Sequence, residues 1–124
     1  MLYLYFSGTG NSKYCIEYFA KGIGDDFDIY SIEDADAIEK IKQHMDIVFA
    51  YPIYYSTLPK ILADYIDNHS NLWKGKNVFL MATMGLFSGY GTGVLARPLK
   101  KYGANIIGGI HLTMPDCIID VKLL

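Results

Sequence analysis

The chain has 124 residues, 52% of them hydrophobic, and a formal net charge of -2. That length suits one domain spanning residues 1–124, the apolar fraction supports a buried core, and the near-neutral balance leaves no electrostatic footprint for nucleic acid. No apolar run reaches membrane-span length, and the opening MLYLYFSGTG lacks a basic leader and a cleavage site, so a cytoplasmic protein is expected.

In chain order, Leu2 to Phe6 form a short apolar strand, which Ser7 to Ser12 break. From about Ser12 to Ile23 a helical pattern follows, with Cys15, Phe19 and Ile23 at spacings of four, and Gly24 is a plausible stop. Phe27 to Ile32 read as an edge strand, and Glu33 to Gln43, carrying Ala35, Ile38 and Ile41, as a short helix. Ile47 to Tyr51 is a continuous apolar run, as expected for a central strand covered on both faces, and Pro52 is expected to end it.

Leu58, Ile61, Leu62, Tyr65, Ile66 and His69 mark one face of the next helix, with Ser56 or Thr57 as its cap and Pro59 in its first turn. Val78 to Thr83 form another buried strand. Met84 to Gly91 is a glycine-containing loop. A helix then runs to about Tyr102, with Val94, Leu95 and Leu99 inward. Pro98 predicts a late start or a kink there, and Gly103 closes it. Ile106 to Met114 form the last strand. Five strands alternate with four helices, and right-handed crossovers favour a three-layer, doubly wound parallel sheet, for which the order 2-1-3-4-5 is one common form.

A fifth helix, expected in that fold, is missing or replaced by the short tail Met114 to Leu124. Part of one sheet face is then under-covered. The tail, a partner chain, a homodimer or a further domain would be needed to cover it.

Cys15 and Cys117 stand far apart with no C-x-x-C, which argues against a cysteine-ligated cluster or zinc site and predicts two buried thiols. The scattered His44, His69 and His111 suggest no metal site. The acidic stretch Asp25 to Glu39 reads better as a solvated edge than as a docking surface.

In an open α/β sheet, ligands bind beyond the carboxyl ends of the strands, at the switch point. Three loops fall there. In the first, Ser7-Gly8-Thr9-Gly10-Asn11-Ser12, Gly8 and Gly10 let backbone amides approach an anion, and the helix that follows presents its positive end. The hydroxyl and amide side chains add donors, making a neutral phosphate cradle. A dinucleotide fingerprint lacks its third glycine, Lys13 standing there instead, and a triphosphate loop fails because Lys13 follows no glycine. A plain tight turn with an N-cap is the simpler competitor.

The second loop, Tyr51-Pro52-Ile53-Tyr54-Tyr55-Ser56-Thr57-Leu58-Pro59, brackets aromatics and hydroxyls between prolines. It suits a flat ligand or, equally, a rigid connection whose tyrosines simply pack. The third, Thr83-Met84-Gly85-Leu86-Phe87-Ser88-Gly89-Tyr90-Gly91, brings main chain close, with Phe87 and Tyr90 able to flank a ring. A phosphate joined to a planar ring system fits all three.

These segments resemble the flavodoxin-like family. Tyr3-Leu4-Tyr5-Phe6-Ser7-Gly8-Thr9-Gly10-Asn11-Ser12 is similar to a flavodoxin first strand and phosphate loop. The resemblance is closest to the domain that precedes a two-cluster ferredoxin in fusion proteins of anaerobes. Tyr51-Pro52-Ile53-Tyr54 with Leu58-Pro59-Lys60, Ala82-Thr83-Met84-Gly85 and Met114-Pro115-Asp116 resemble later segments of that group.

The resemblance implies flavin mononucleotide (FMN) and electron transfer. Ser7, Gly8, Thr9, Gly10, Asn11 and Ser12 would hold the phosphate. Pro52, Ile53, Tyr54, Tyr55, Ser56 and Thr57 would meet one side of the ring system, and Thr83, Met84, Gly85, Phe87, Ser88 and Tyr90 the other. It implies no catalytic acid, base or nucleophile, and a ferredoxin-like protein or a reductase as redox partner. An FMN-dependent NAD(P)H:quinone or small-acceptor oxidoreductase is the main alternative, and a flavin-free interaction domain the second. The fifth helix and any ferredoxin extension depart from the pattern.

Overall fold

The computed structural model describes residues 1–6, 11–23, 28–53, 59–84, 91–113 and 118–121. Strands β1 (Leu2–Tyr5), β2 (Asp28–Ser31), β3 (Asp46–Ile53), β4 (Asn77–Met84), β5 (Asn105–Thr113) and β6 (Ile118–Val121) alternate, as far as β5, with helices α1 (Asn11–Ile23), α2 (Ala37–Gln43), α3 (Lys60–Asn68) and α4 (Gly91–Lys101). The sheet order is β2-β1-β3-β4-β5-β6. The first five strands are parallel, in the expected order.

The tail is the exception. Ile118 to Val121 pair antiparallel with β5, Ile110 opposite Val121 and Thr113 opposite Ile118. Ile118, Ile119 and Val121 thus extend the sheet in its own plane and do not lie over its face.

Alternation sorts the strands between two cores. Leu2, Leu4, Ile47, Phe49, Tyr51, Val78, Leu80 and Ala82 point to one face. There Ala37 and Ile41 of α2, Leu62 and Ile66 of α3, and Leu95, Ala96 and Leu99 of α4 cover them, with Trp73 between. Tyr3, Val48, Ala50, Met81 and Ile110 point to the other face, where Cys15, Ile16 and Ala20 of α1 pack on them. Among the described residues three helices serve one face and one helix the other.

Several expected boundaries move for local reasons. α2 starts at Ala37 because Glu33 to Asp36 are held in a turn: Ser31 N–H donates to Asp34 Oδ2 (2.9 Å) and Glu33 N–H to Ser31 Oγ (3.1 Å). β3 runs through Pro52 to Ile53. Ala50 C=O accepts from Phe6 N–H, so Pro52, two residues on, turns its nitrogen to the same side, past the end of β1, and removes no ladder bond. α3 takes Pro59 as its N-cap, without a side-chain cap, in place of Pro59 inside the first turn. α4 begins at Gly91 and includes Pro98 in its body, where a late start or a kink was expected.

The C-terminus of α4 is a Schellman motif. Gly103 has φ 90°, its N–H donates to Lys100 O, and Ala104 N–H reaches back to Leu99 O. The last turn of α3 finds partners for its free carbonyls elsewhere. Trp73 Nε1–H donates to Ile66 O at 3.2 Å, and His69 Nδ1, in its Nδ1–H tautomer, to Tyr65 O at 2.9 Å. At the solvated edge, Asp28 meets His44 at 3.2 Å and Lys40 at 3.8 Å.

Cys15 is buried and disulfide-bonded, not a thiol as expected; its partner lies outside the described residues. No helix among the described residues is long and apolar enough to cross a membrane.

Candidate functional site

The three loops singled out in the sequence all leave the carboxyl ends of neighbouring parallel strands. β1 and β3 pair in register from Leu2 with Ile47 to Tyr5 with Ala50. β3 and β4 pair through to Pro52 with Thr83 and Ile53 with Met84. β1 has β2 on one side and β3 on the other, and the chain leaves it toward β2 through α1 and returns to β3 through α2 on the opposite face. The switch point therefore lies at the end of β1 beside β3, where the first two loops emerge.

Of the site residues expected, Asn11 and Ser12 open α1, so their backbone amides belong to its first turn. Pro52 is buried in β3, and Ile53 is its last residue. Thr83 is 3% exposed near the end of β4, and its Oγ1–H donates to Tyr51 O at 3.4 Å. Met84 ends that strand beside Ile53. Ser7, Gly8, Thr9, Gly10, Tyr54, Tyr55, Ser56, Thr57, Gly85, Phe87, Ser88 and Tyr90 lie outside the described residues.

The electrostatics favour an anion. The first amides of an α-helix have no partner within it and carry the positive end of its dipole. Neither α1 nor α4 has an acidic residue in its first turn. The first turn of α1, the helix that begins at the switch point, thus carries no carboxylate, and this end fits a phosphate-bearing group.

Apolar walls close the strand side. Tyr51 is fully buried, and burial pushes its hydroxyl well above the ordinary tyrosine range, so it stays neutral at any physiological pH. Its ring stands edge-on to Phe49 at 6.2 Å. Tyr5 and Phe6, half-buried at the end of β1, also border this corner. Their place at the end of β1, directly before the glycine loop, is the signal in the sequence that marks them.

A family model described as a flavodoxin domain matches residues 2–92. The chain belongs to the flavodoxin domain family. No curated protein matches it. Among solved structures it is similar to the two-electron reduced flavodoxin of Megasphaera elsdenii, at 26% identity and a TM-score of 0.75, over 94% of this chain and 89% of that one. A flavodoxin from the domain Archaea has the same TM-score at 21% identity, covering 93% and 85%. A Fusobacterium nucleatum flavodoxin mutant, solved bound to FMN, has a TM-score of 0.67 at 19% identity, covering 86% and 66%. The last two show the shared fold.

Proposed function

We propose that this flavodoxin-family chain binds FMN across the carboxyl ends of β1, β3 and β4 and carries electrons to or from a separate redox protein. The single observation that carries this reading is the start of α1: a helix N-terminus free of first-turn carboxylates, at the switch point of a 2-1-3-4-5 sheet.

In this reading the amides and hydroxyls of Ser7 to Ser12 grip the phosphate. Pro52 to Thr57 lie on one side of the ring system and Thr83 to Tyr90 on the other. Bound FMN supplies the redox chemistry, and the chain binds, orients and shields it. The cradle has Lys13 as its single basic residue, so the phosphate keeps much of its charge. That charge and the apolar walls beside Tyr51 disfavour further negative charge on the ring and lower its potential. The partner is a ferredoxin-like protein or a reductase.

The test is calorimetric and optical titration of the purified chain with FMN. Saturable uptake at one site per chain, with a perturbed flavin spectrum, is the expected result. Gly10→Val is expected to block amide approach and abolish uptake with an unchanged far-UV spectrum. No uptake by folded protein, or full affinity in Gly10→Val, refutes the site. Direct hydride transfer from NAD(P)H to the loaded protein would instead make it a reductase.

A further inference from the structure

Cys15 lies one turn past Asn11, the first residue of α1, and shares a core with Ile16, Val48, Ala50 and Ile110. It is 2% exposed and disulfide-bonded. The sequence holds two cysteines, so it names Cys117, outside the described residues, as the other half. The site assigned to FMN makes no use of this bond.

The backbone brings the two ends of such a link together. Ile110 of β5, which shares the core of Cys15, pairs with Val121 of β6. Thr113, the last residue of β5, pairs with Ile118, the first of β6 and the residue after Cys117. Thr113 ends a parallel strand, so this reversal stands at the carboxyl end of the sheet, where α1 also starts. β6 is an edge strand and pairs with β5 alone. The link therefore ties the opening turns of α1 to the chain entering β6, and it closes a loop that takes in β2 to β5. A cross-link over a long loop restricts the opened chain more than one over a short loop.

We propose that a Cys15–Cys117 disulfide is a redox switch on the first turn of α1. Oxidised, it holds that turn, with the Asn11 and Ser12 amides, in place beside the end of β1. A dithiol reductant opens it. The two sulfurs of the reductant pair and give up two hydrogens; the Cys15–Cys117 S–S bond breaks, and each cysteine sulfur gains one of those hydrogens. α1 then keeps its apolar packing but loses its tie to β6, so its first turn frays and its hold on an anion weakens. That last step rests on the FMN reading above; the switch itself does not. Linkage makes the coupling mutual: saturating FMN disfavours reduction by the same factor by which reduction weakens FMN binding.

Thiol titration and peptide mass mapping of the full chain test the bond. After equilibration with oxidised glutathione, the chain should show no titratable thiol in denaturant and one linked pair of peptides, containing Cys15 and Cys117. Hydrogen exchange should quicken on reduction, more along α1 than in β3. Cys117→Ser, assayed without reductant, should match the exchange pattern of the reduced parent. It should bind FMN roughly tenfold more weakly than the oxidised parent. Thiols that persist in oxidised glutathione, a link between two chains, or α1 exchange indifferent to both reduction and Cys117→Ser overturns the switch. Equal FMN affinity in the oxidised parent and in Cys117→Ser overturns it as well. Absence of FMN uptake in either state refutes the FMN reading instead, and the exchange data alone then decide the switch.

Discussion

Phe79 lies against the bare backbone of Gly108. A Cβ built at Gly108 would stand 3.0 Å from Cε2 and 3.2 Å from Cδ2 of the ring. The two residues are opposite each other where the β4–β5 register slips by one, and Phe79 in turn stacks on Phe19 at 6.2 Å and 16°. Helix α1, the central strand and the glycine are thereby locked in one column.

Gly108→Ala is therefore expected to push the ring aside and cost about 1–2 kcal/mol. The measure is a lower urea midpoint at unchanged slope. Phe79→Leu added to Gly108→Ala should recover part of that loss, and strict additivity of the two changes would contradict the contact.

Tyr65 buries a hydroxyl that has no hydrogen-bond partner among the described residues. Tyr65→Phe removes the unmet desolvation and is expected to stabilise the fold by about 1 kcal/mol. A loss of stability in that variant would reveal a partner for the hydroxyl.

The same tyrosine gives a pH dependence. Burial raises its hydroxyl from 10.0 to about 12 in the folded chain. Its contribution is complete below the unfolded value near 10. It falls as pH climbs toward 12, because the unfolded state releases the proton first. Tyr65→Phe should flatten the alkaline limb of stability against pH between those values, with the remaining slope owed in part to Tyr51, which is raised for the same reason.

Gly103 closes α4 at φ 90°, with the Cα of Lys74 3.3 Å from where a Cβ would sit. Gly103→Ala is expected to cost about 1–2 kcal/mol through backbone strain. Thermal unfolding checks it, and Lys100→Ala, which keeps the backbone bonds of the motif, should be nearly neutral.

Trp73, the sole tryptophan, is fully buried and satisfies a carbonyl at the end of α3. Trp73→Phe leaves a gap and an orphaned Ile66 C=O, for about 2–3 kcal/mol. In the parent chain its emission should be blue-shifted and move red in one step with far-UV loss. A red native emission would place the indole in water.

Much of this fold was legible because local pattern and burial agree. The uninterrupted Ile47 to Tyr51 run announced a strand with a helix layer on each side, and Cys15 with Phe19 announced the inner face of α1. Pro52 misled because its meaning depends on which neighbour its nitrogen faces, and that is decided by where β1 stops. Pro98 suggested a late start or a kink, and α4 in fact begins at Gly91 and carries Pro98 in its body. Ile118 to Val121 were recognised as apolar, but pairing with β5 is a non-local choice that four residues do not encode. At the site, the sequence identified the loops from their glycines, prolines and hydroxyls, and the strand order brings their ends together.

Among the described residues, α1 alone insulates one face of the sheet. α1 is at once the lid of half the core and the segment whose first turn would hold the anion. Sub-global opening should begin there, so its amides ought to exchange with solvent well before those of β3 and β4. Any phosphate-bearing occupant would then act as a clasp: saturating it would slow exchange along α1 first and raise the cost of opening by mass action.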